Sequence, residues 1–94
     1  MSYQAQYDTA YQPSFQARVE QAMVTAAIAI QAEATNTSNH TNRAVFAKAV
    51  LNTPQQYVLA FAQGVASQGI DGTASDSTIQ NTVNALWNAY AGTV

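Results

Sequence analysis

The stretch Phe15-Gln16-Ala17-Arg18-Val19-Glu20-Gln21-Ala22-Met23-Val24-Thr25-Ala26-Ala27-Ile28-Ala29-Ile30 decides how the chain folds. Phe15, Val19, Met23, Ala26 and Ile30 recur at intervals of three or four residues, which places them on one face of an α-helix. Val24 and Ile28 fall off that stripe, so the second half of the helix is apolar nearly all round. A helix of that kind sits centrally in its fold or is covered on a second side by another subunit. Its longest apolar run, Ala22 to Ile30 broken only by Thr25, is about half of the ~20 residues a bilayer span needs. The expectation is a buried helix with no membrane partner.

Pro13 and Ser14 start this helix, which the pattern carries to about Ala34, and residues 1–12 before it read as an N-terminal arm. Thr35-Asn36-Thr37-Ser38-Asn39 is a run of cap and turn formers that compete for the backbone and end the helix. A second helix is expected from His40 to Leu51, burying Phe46, Ala47, Val50 and Leu51 and leaving Arg43 and Lys48 to solvent. In Thr53-Pro54-Gln55-Gln56, a Thr N-cap, a Pro at the first helical position and a Gln at the third have capping-box spacing and open a third helix. Tyr57, Val58, Phe61 and Val65 supply its buried face, and Gly69 is placed to end it in a left-handed cap. After the Asp71-Gly72 turn, Asp76 or Ser77 caps a fourth helix, with Ser77 and Gln80 again at capping-box spacing. Ile79, Val83, Leu86, Trp87 and Tyr90 form its apolar face, and Gly92 closes it. The fold class is all-α: about four helices in a small bundle with an N-terminal aromatic arm, residues 13–94 making a single helical domain.

Ninety-four residues hold one core. At that size the surface buried on folding is only about 60–65% of what the unfolded chain exposes, so a partner surface adds usefully to stability. Charged residues are 9% of the chain against 48% hydrophobic, far below the usual quarter. Gln, Asn, Thr and Ser take their place, and neutral amides and hydroxyls leave water at lower cost than ions do. Large protein–protein contacts become easier, and a homo-oligomer is expected. With a net charge of −2 and only Arg18, Arg43 and Lys48 positive, there is no basic stripe for a phosphate backbone, and no direct nucleic-acid binding is expected. The chain has no cysteine, hence no disulfide framework or thiolate metal site. Met1-Ser2-Tyr3-Gln4-Ala5-Gln6 lacks the positive end and apolar stretch of a signal peptide.

Catalysis finds little to work with. His40 is the sole histidine, and Asp8, Glu20, Glu33, Asp71 and Asp76 are scattered singly, so neither a metal set nor an acid–base pair is evident. Asp71 to Asp76 lacks the alternating oxygen ligands and terminal Glu of a calcium loop. No phosphate-binding glycine fingerprint occurs. No enzyme activity, cofactor, metal or small-molecule substrate is expected.

The candidate interface residues are aromatic and aliphatic. Tyr3, Tyr7, Tyr11 and Phe15 stand at successive i, i+4 positions. They read either as a lid over the chain's own core or as an arm reaching a neighbouring subunit, where Tyr gives large contact area at low entropic cost. Val24 and Ile28 are the off-stripe positions of the first helix. Trp87 and Tyr90 admit the same two readings, core packing ahead of contact.

Met1-Ser2-Tyr3-Gln4-Ala5-Gln6-Tyr7, the turn Asn39-His40-Thr41-Asn42-Arg43, the following Ala44-Val45-Phe46-Ala47-Lys48-Ala49-Val50-Leu51-Asn52, and the Ala/Gln/Asn/Thr-rich character overall resemble small structural proteins of tailed-bacteriophage particles. The resemblance implies a non-enzymatic virion subunit assembled in the bacterial host cytoplasm. It would act in the head, the head–tail neck or on the capsid surface, through contacts with its own copies and with other virion structural proteins. The alternative is a small helical partner-binding protein, either a regulatory interaction module or a secreted helical hairpin. Such hairpins turn at a Trp-x-Gly, whereas here Trp87 is followed by Asn88-Ala89.

Overall fold

The computed structural model describes residues 8–33 and 41–91, and the fold is all-α. Four helices, α1 (Pro13–Glu33), α2 (Thr41–Asn52), α3 (Val58–Ser67) and α4 (Asp76–Ala91), are joined by a 3-10 turn at Pro54–Gln56 and a loop over residues 68–75. Residues 8–10 are also helical. Tyr3, Tyr7, the polar run Thr35–Asn39, His40 and Gly92 lie outside the described residues.

The helix α1 is central, packing against α2, α3 and α4. Phe15, Val19, Ala22, Met23, Ala26, Ala27 and Ile30 are buried along its length, the stripe expected from the spacing plus Ala22 and Ala27. Around it Phe46, Phe61 and Trp87 form an aromatic centre. The Trp87 ring centroid lies 5.1 Å from Phe46 and 5.4 Å from Phe61, and Tyr57 meets Phe46 edge-on at 5.2 Å. These distances lie in the range where tilted and edge-to-face aromatic pairs add stability beyond the area they bury.

Two helix boundaries differ from the sequence expectation. Thr53 does not cap the following helix: its hydroxyl donates to Ala49 O at 3.0 Å, and no side-chain cap bond forms at Pro54–Gln56. Because Thr53 directly follows α2, its hydroxyl reaches the carbonyl one turn back, which also accepts the Thr53 N–H at 3.0 Å, so the side chain is turned back onto α2 instead of forward onto the next turn. Pro54 then starts a single 3-10 turn, closed by Tyr57 N–H on Pro54 O at 3.0 Å, before α3 begins at Val58. At α4 the cap is Ser75, one residue ahead of Asp76 and two ahead of Ser77. Its Oγ accepts from Thr78 N–H at 3.2 Å, and its carbonyl accepts from Ile79 N–H at 3.1 Å. Gly69 ends α3 as expected, at φ 83° with its N–H on Ala66 O at 2.9 Å, a conformation that a Cβ disfavours.

Candidate interaction surfaces

Residues 8–12 lie on the domain itself. Thr9 and Ala10 are buried, and Gln16 Nε2 donates to Ala10 O at 2.8 Å, tying the segment to the first turns of α1. Tyr11 remains 54% exposed, its hydroxyl accepting from Gln63 Nε2 at 3.2 Å. Phe15, expected as the fourth member of an aromatic stripe, is fully inside the core. The reason is its position on the α1 face that carries Val19, Met23 and Ile30, so it is core and not contact.

Opposite that buried face, Ile28 points outward and is 58% exposed, while Val24 beside it is half-buried. The α1 helix is thus central on one side and bare on the other at Ile28. Val45 on α2 is 54% exposed, and Leu59 on α3 is also exposed. Neither was among the residues expected at an interface. The i, i+4 spacing signals were spent on their buried neighbours Phe46 and Phe61.

On α4, Trp87 is fully buried among Phe46 and Phe61, which removes it from the candidate contact residues. Its Nε1–H is buried with no acceptor. Tyr90 is half-buried, edge-on to Phe61 at 4.9 Å, with its hydroxyl donating to Ala60 O at 3.2 Å. Burial raises the Tyr90 phenol above the ordinary value of 10.0.

Arg43 is half-buried rather than left to solvent. With Ala26, Ala29, Ile30, Asn84, Trp87 and Asn88 it lines a recess of about 230 Å³ between α1, α2 and α4.

Four of the charged groups make contacts that hold the fold together. Arg18 on α1 reaches across to the loop before α4. Its Nε and Nη2 donate to Asp76 Oδ1 at 3.0 and 2.8 Å, Nη1 to Gly72 O at 2.9 Å, and Nη2 to Ala74 O at 2.6 Å. Nothing in the sequence pairs residues 58 positions apart, and the loop read there only as a turn and a cap. Asp71 accepts from Thr73 N–H at 2.9 Å and from the Thr73 hydroxyl. The hydroxyl bond first, and then the backbone bond, hold its carboxyl below 3.8. Glu20 accepts from Gln55 Nε2 at 2.8 Å. Among the described residues no three His, Cys, Asp or Glu side chains gather into a metal-sized group, and no helix is long and apolar enough to cross a membrane.

No family model, curated protein or solved structure matches the chain.

Proposed function

We propose that the chain is a non-enzymatic subunit that works through protein–protein contacts, associating with its own copies and with other structural proteins. The setting is the one its sequence resembles, the virion of a tailed phage. The observation that carries this reading is Ile28: a large aliphatic side chain, 58% exposed, on the outward face of the most central helix. Val45 and Tyr11 extend the same character to other parts of a surface that holds very few ions. Exposed aliphatic groups among neutral amides shed water cheaply, which suits a contact surface. Three of the described acids, Glu20, Asp71 and Asp76, are each engaged by a different side chain, in keeping with the same reading.

The direct measurement is native mass spectrometry with analytical ultracentrifugation of the purified chain, together with its search by mass in purified particles of any phage that encodes it. A defined homo-oligomer and a fixed copy number per particle are expected. A compact monomer across the accessible concentration range, absent from the particles, would sink the proposal.

A further inference from the structure

The loop between α3 and α4 contains Asp71-Gly72, the one place in the sequence where an aspartate or asparagine precedes a glycine. Both residues are exposed. The pairing is chemically distinct, because glycine has no Cβ to shield its peptide nitrogen, and bonding that nitrogen to the preceding carboxyl carbon closes a five-membered ring. The fold adds a constraint. Asp71 Oδ1 accepts from Thr73 N–H at 2.9 Å and from the Thr73 hydroxyl, while Ala74 N–H closes the turn on Asp71 O at 3.1 Å. The two bonds on Oδ1 favour the ionised carboxyl and fix its orientation. On the other side of the Asp71-Gly72 bond, Gly72 O and Ala74 O accept from Arg18 Nη1 and Nη2 at 2.9 and 2.6 Å.

We propose that Asp71-Gly72 is a site of spontaneous isoaspartate formation, that Thr73 restrains the reaction in the folded chain, and that its product releases the Arg18 clamp. In the acid form of Asp71, Gly72 N attacks Cγ: the N–Cγ bond forms, and the amide proton and the carboxyl hydroxyl leave together as water. The succinimide so formed takes up water from solvent at this exposed loop. Cleavage between Gly72 N and Asp71 Cγ restores aspartate. Cleavage between Gly72 N and the Asp71 carbonyl carbon leaves the chain running through Cβ and Cγ, with a free α-carboxylate and the charge unchanged. The restraint follows from the leaving group. A carboxylate has no hydroxyl to lose as water, so the Thr73 bonds that favour the ionised form keep the reactive fraction small. The consequence follows from geometry: an extra backbone carbon between Asp71 and Gly72 shifts Gly72 O and Ala74 O from the Arg18 guanidinium. This chemistry is independent of the contact-subunit reading above.

The test ages the intact chain at neutral pH and constant temperature, labels isoaspartate with an isoaspartyl methyltransferase, and locates it by electron-transfer fragmentation. Isoaspartate should accumulate at residue 71 ahead of Asp8 and Asp76, with a transient species one water lighter. Thr73 is exposed, so Thr73→Val keeps the fold while removing the hydroxyl, and it should age about fivefold faster, the factor that one net hydrogen bond supports. Thr73→Ser keeps the hydroxyl and should age with the parent. Gly72→Ala is a second handle: its Cβ would meet only Gln12 Oε1, at 3.6 Å, an ordinary contact, so the fold stays while the nitrogen is shielded and most of the product is lost. Amide exchange over residues 72–78 should accelerate in the aged parent and stay unchanged in aged Gly72→Ala. The proposal is overturned if residue 71 gains no more isoaspartate than Asp8 or Asp76, if Thr73→Val ages at the parent's rate, if Gly72→Ala ages as the parent does, or if the isoaspartate form exchanges like fresh protein.

Discussion

Gly64 sits in α3 against the Tyr90 hydroxyl, and a Cβ built there would fall 2.5 Å from Tyr90 Oη and 2.8 Å from Leu86 Cδ1. Alanine would gain about 1 kcal/mol of helix propensity. Against that stand overpacking, about 1–3 kcal/mol, and loss of the Tyr90 bond to Ala60 O, about 1 kcal/mol. Gly64→Ala should therefore destabilise the fold by about 1–3 kcal/mol. In a Tyr90→Phe background the nearest blocking atom is gone, and the penalty should shrink by about 0.5–1 kcal/mol. Urea denaturation of the four proteins in the cycle measures this, and equal penalties in both backgrounds would show that Tyr90 is not the obstacle. The same phenol gives a pH dependence. Its folded pKa is raised above 10.0 by burial, so the folded state holds this proton more tightly than the unfolded one. The contribution is complete below pH 10 and declines as pH rises through the folded value. Stability followed from pH 9 to 11.5 should fall less steeply for Tyr90→Phe than for the parent.

Between elements, the beginning of α4 shows how local choices are decided by geometry. Ser75, Asp76 and Ser77 are all residues that cap helices, and spacing to Gln80 favoured Ser77. The backbone selects Ser75, whose Oγ meets Thr78 N–H, because Asp76 is already drawn to Arg18. Ser75→Ala should cost about 1 kcal/mol, the usual loss of an N-cap, while Ser77→Ala should stay within about 0.5 kcal/mol. Thermal unfolding of the two variants decides between the caps, and a larger loss for Ser77→Ala would refute the assignment. Arg18 itself links α1 to this loop through two carbonyls as well as Asp76. The ion pair is largely solvated, with the Asp76 side chain 91% exposed, and such pairs contribute about 0–1 kcal/mol. Asp76→Asn should thus be mild. Arg18→Met also removes charged donors from Gly72 O and Ala74 O and should cost about 1–3 kcal/mol. Amide exchange across residues 72–78 should accelerate in Arg18→Met far more than in Asp76→Asn, and equal acceleration would mean that the carboxylate does the holding.

At the scale of the whole molecule, the sequence was legible wherever a signal is local or periodic. Four helices follow from 3.6-residue apolar spacing, and two of their ends follow from Pro13 and Gly69, whose backbone constraints act within a turn. Contacts set by tertiary geometry were not legible: the Arg18 clamp and the recess formed by Arg43, Asn84 and Asn88. Aromatic spacing alone does not distinguish a core residue from a contact residue, because both demand one face of a helix. What separates them is the angle around α1. Ile28 lies opposite Phe15, Val19 and Met23, so the two faces of this one helix make opposite predictions for the same kind of substitution. Met23→Glu places a charge in the core and should prevent folding. Ile28→Glu places it in water, where surface changes usually move stability by about 0.5 kcal/mol or less. If the outward face makes a contact between copies, Ile28→Glu should keep the parent's circular dichroism and melting temperature while its sedimentation coefficient drops to that of the monomer, since burying an unpaired carboxylate at an interface is strongly disfavoured. An Ile28→Glu protein that sediments with the parent assembly would clear this face of any role in self-association, and Val45 and Tyr11 would be the next positions to carry the same substitution.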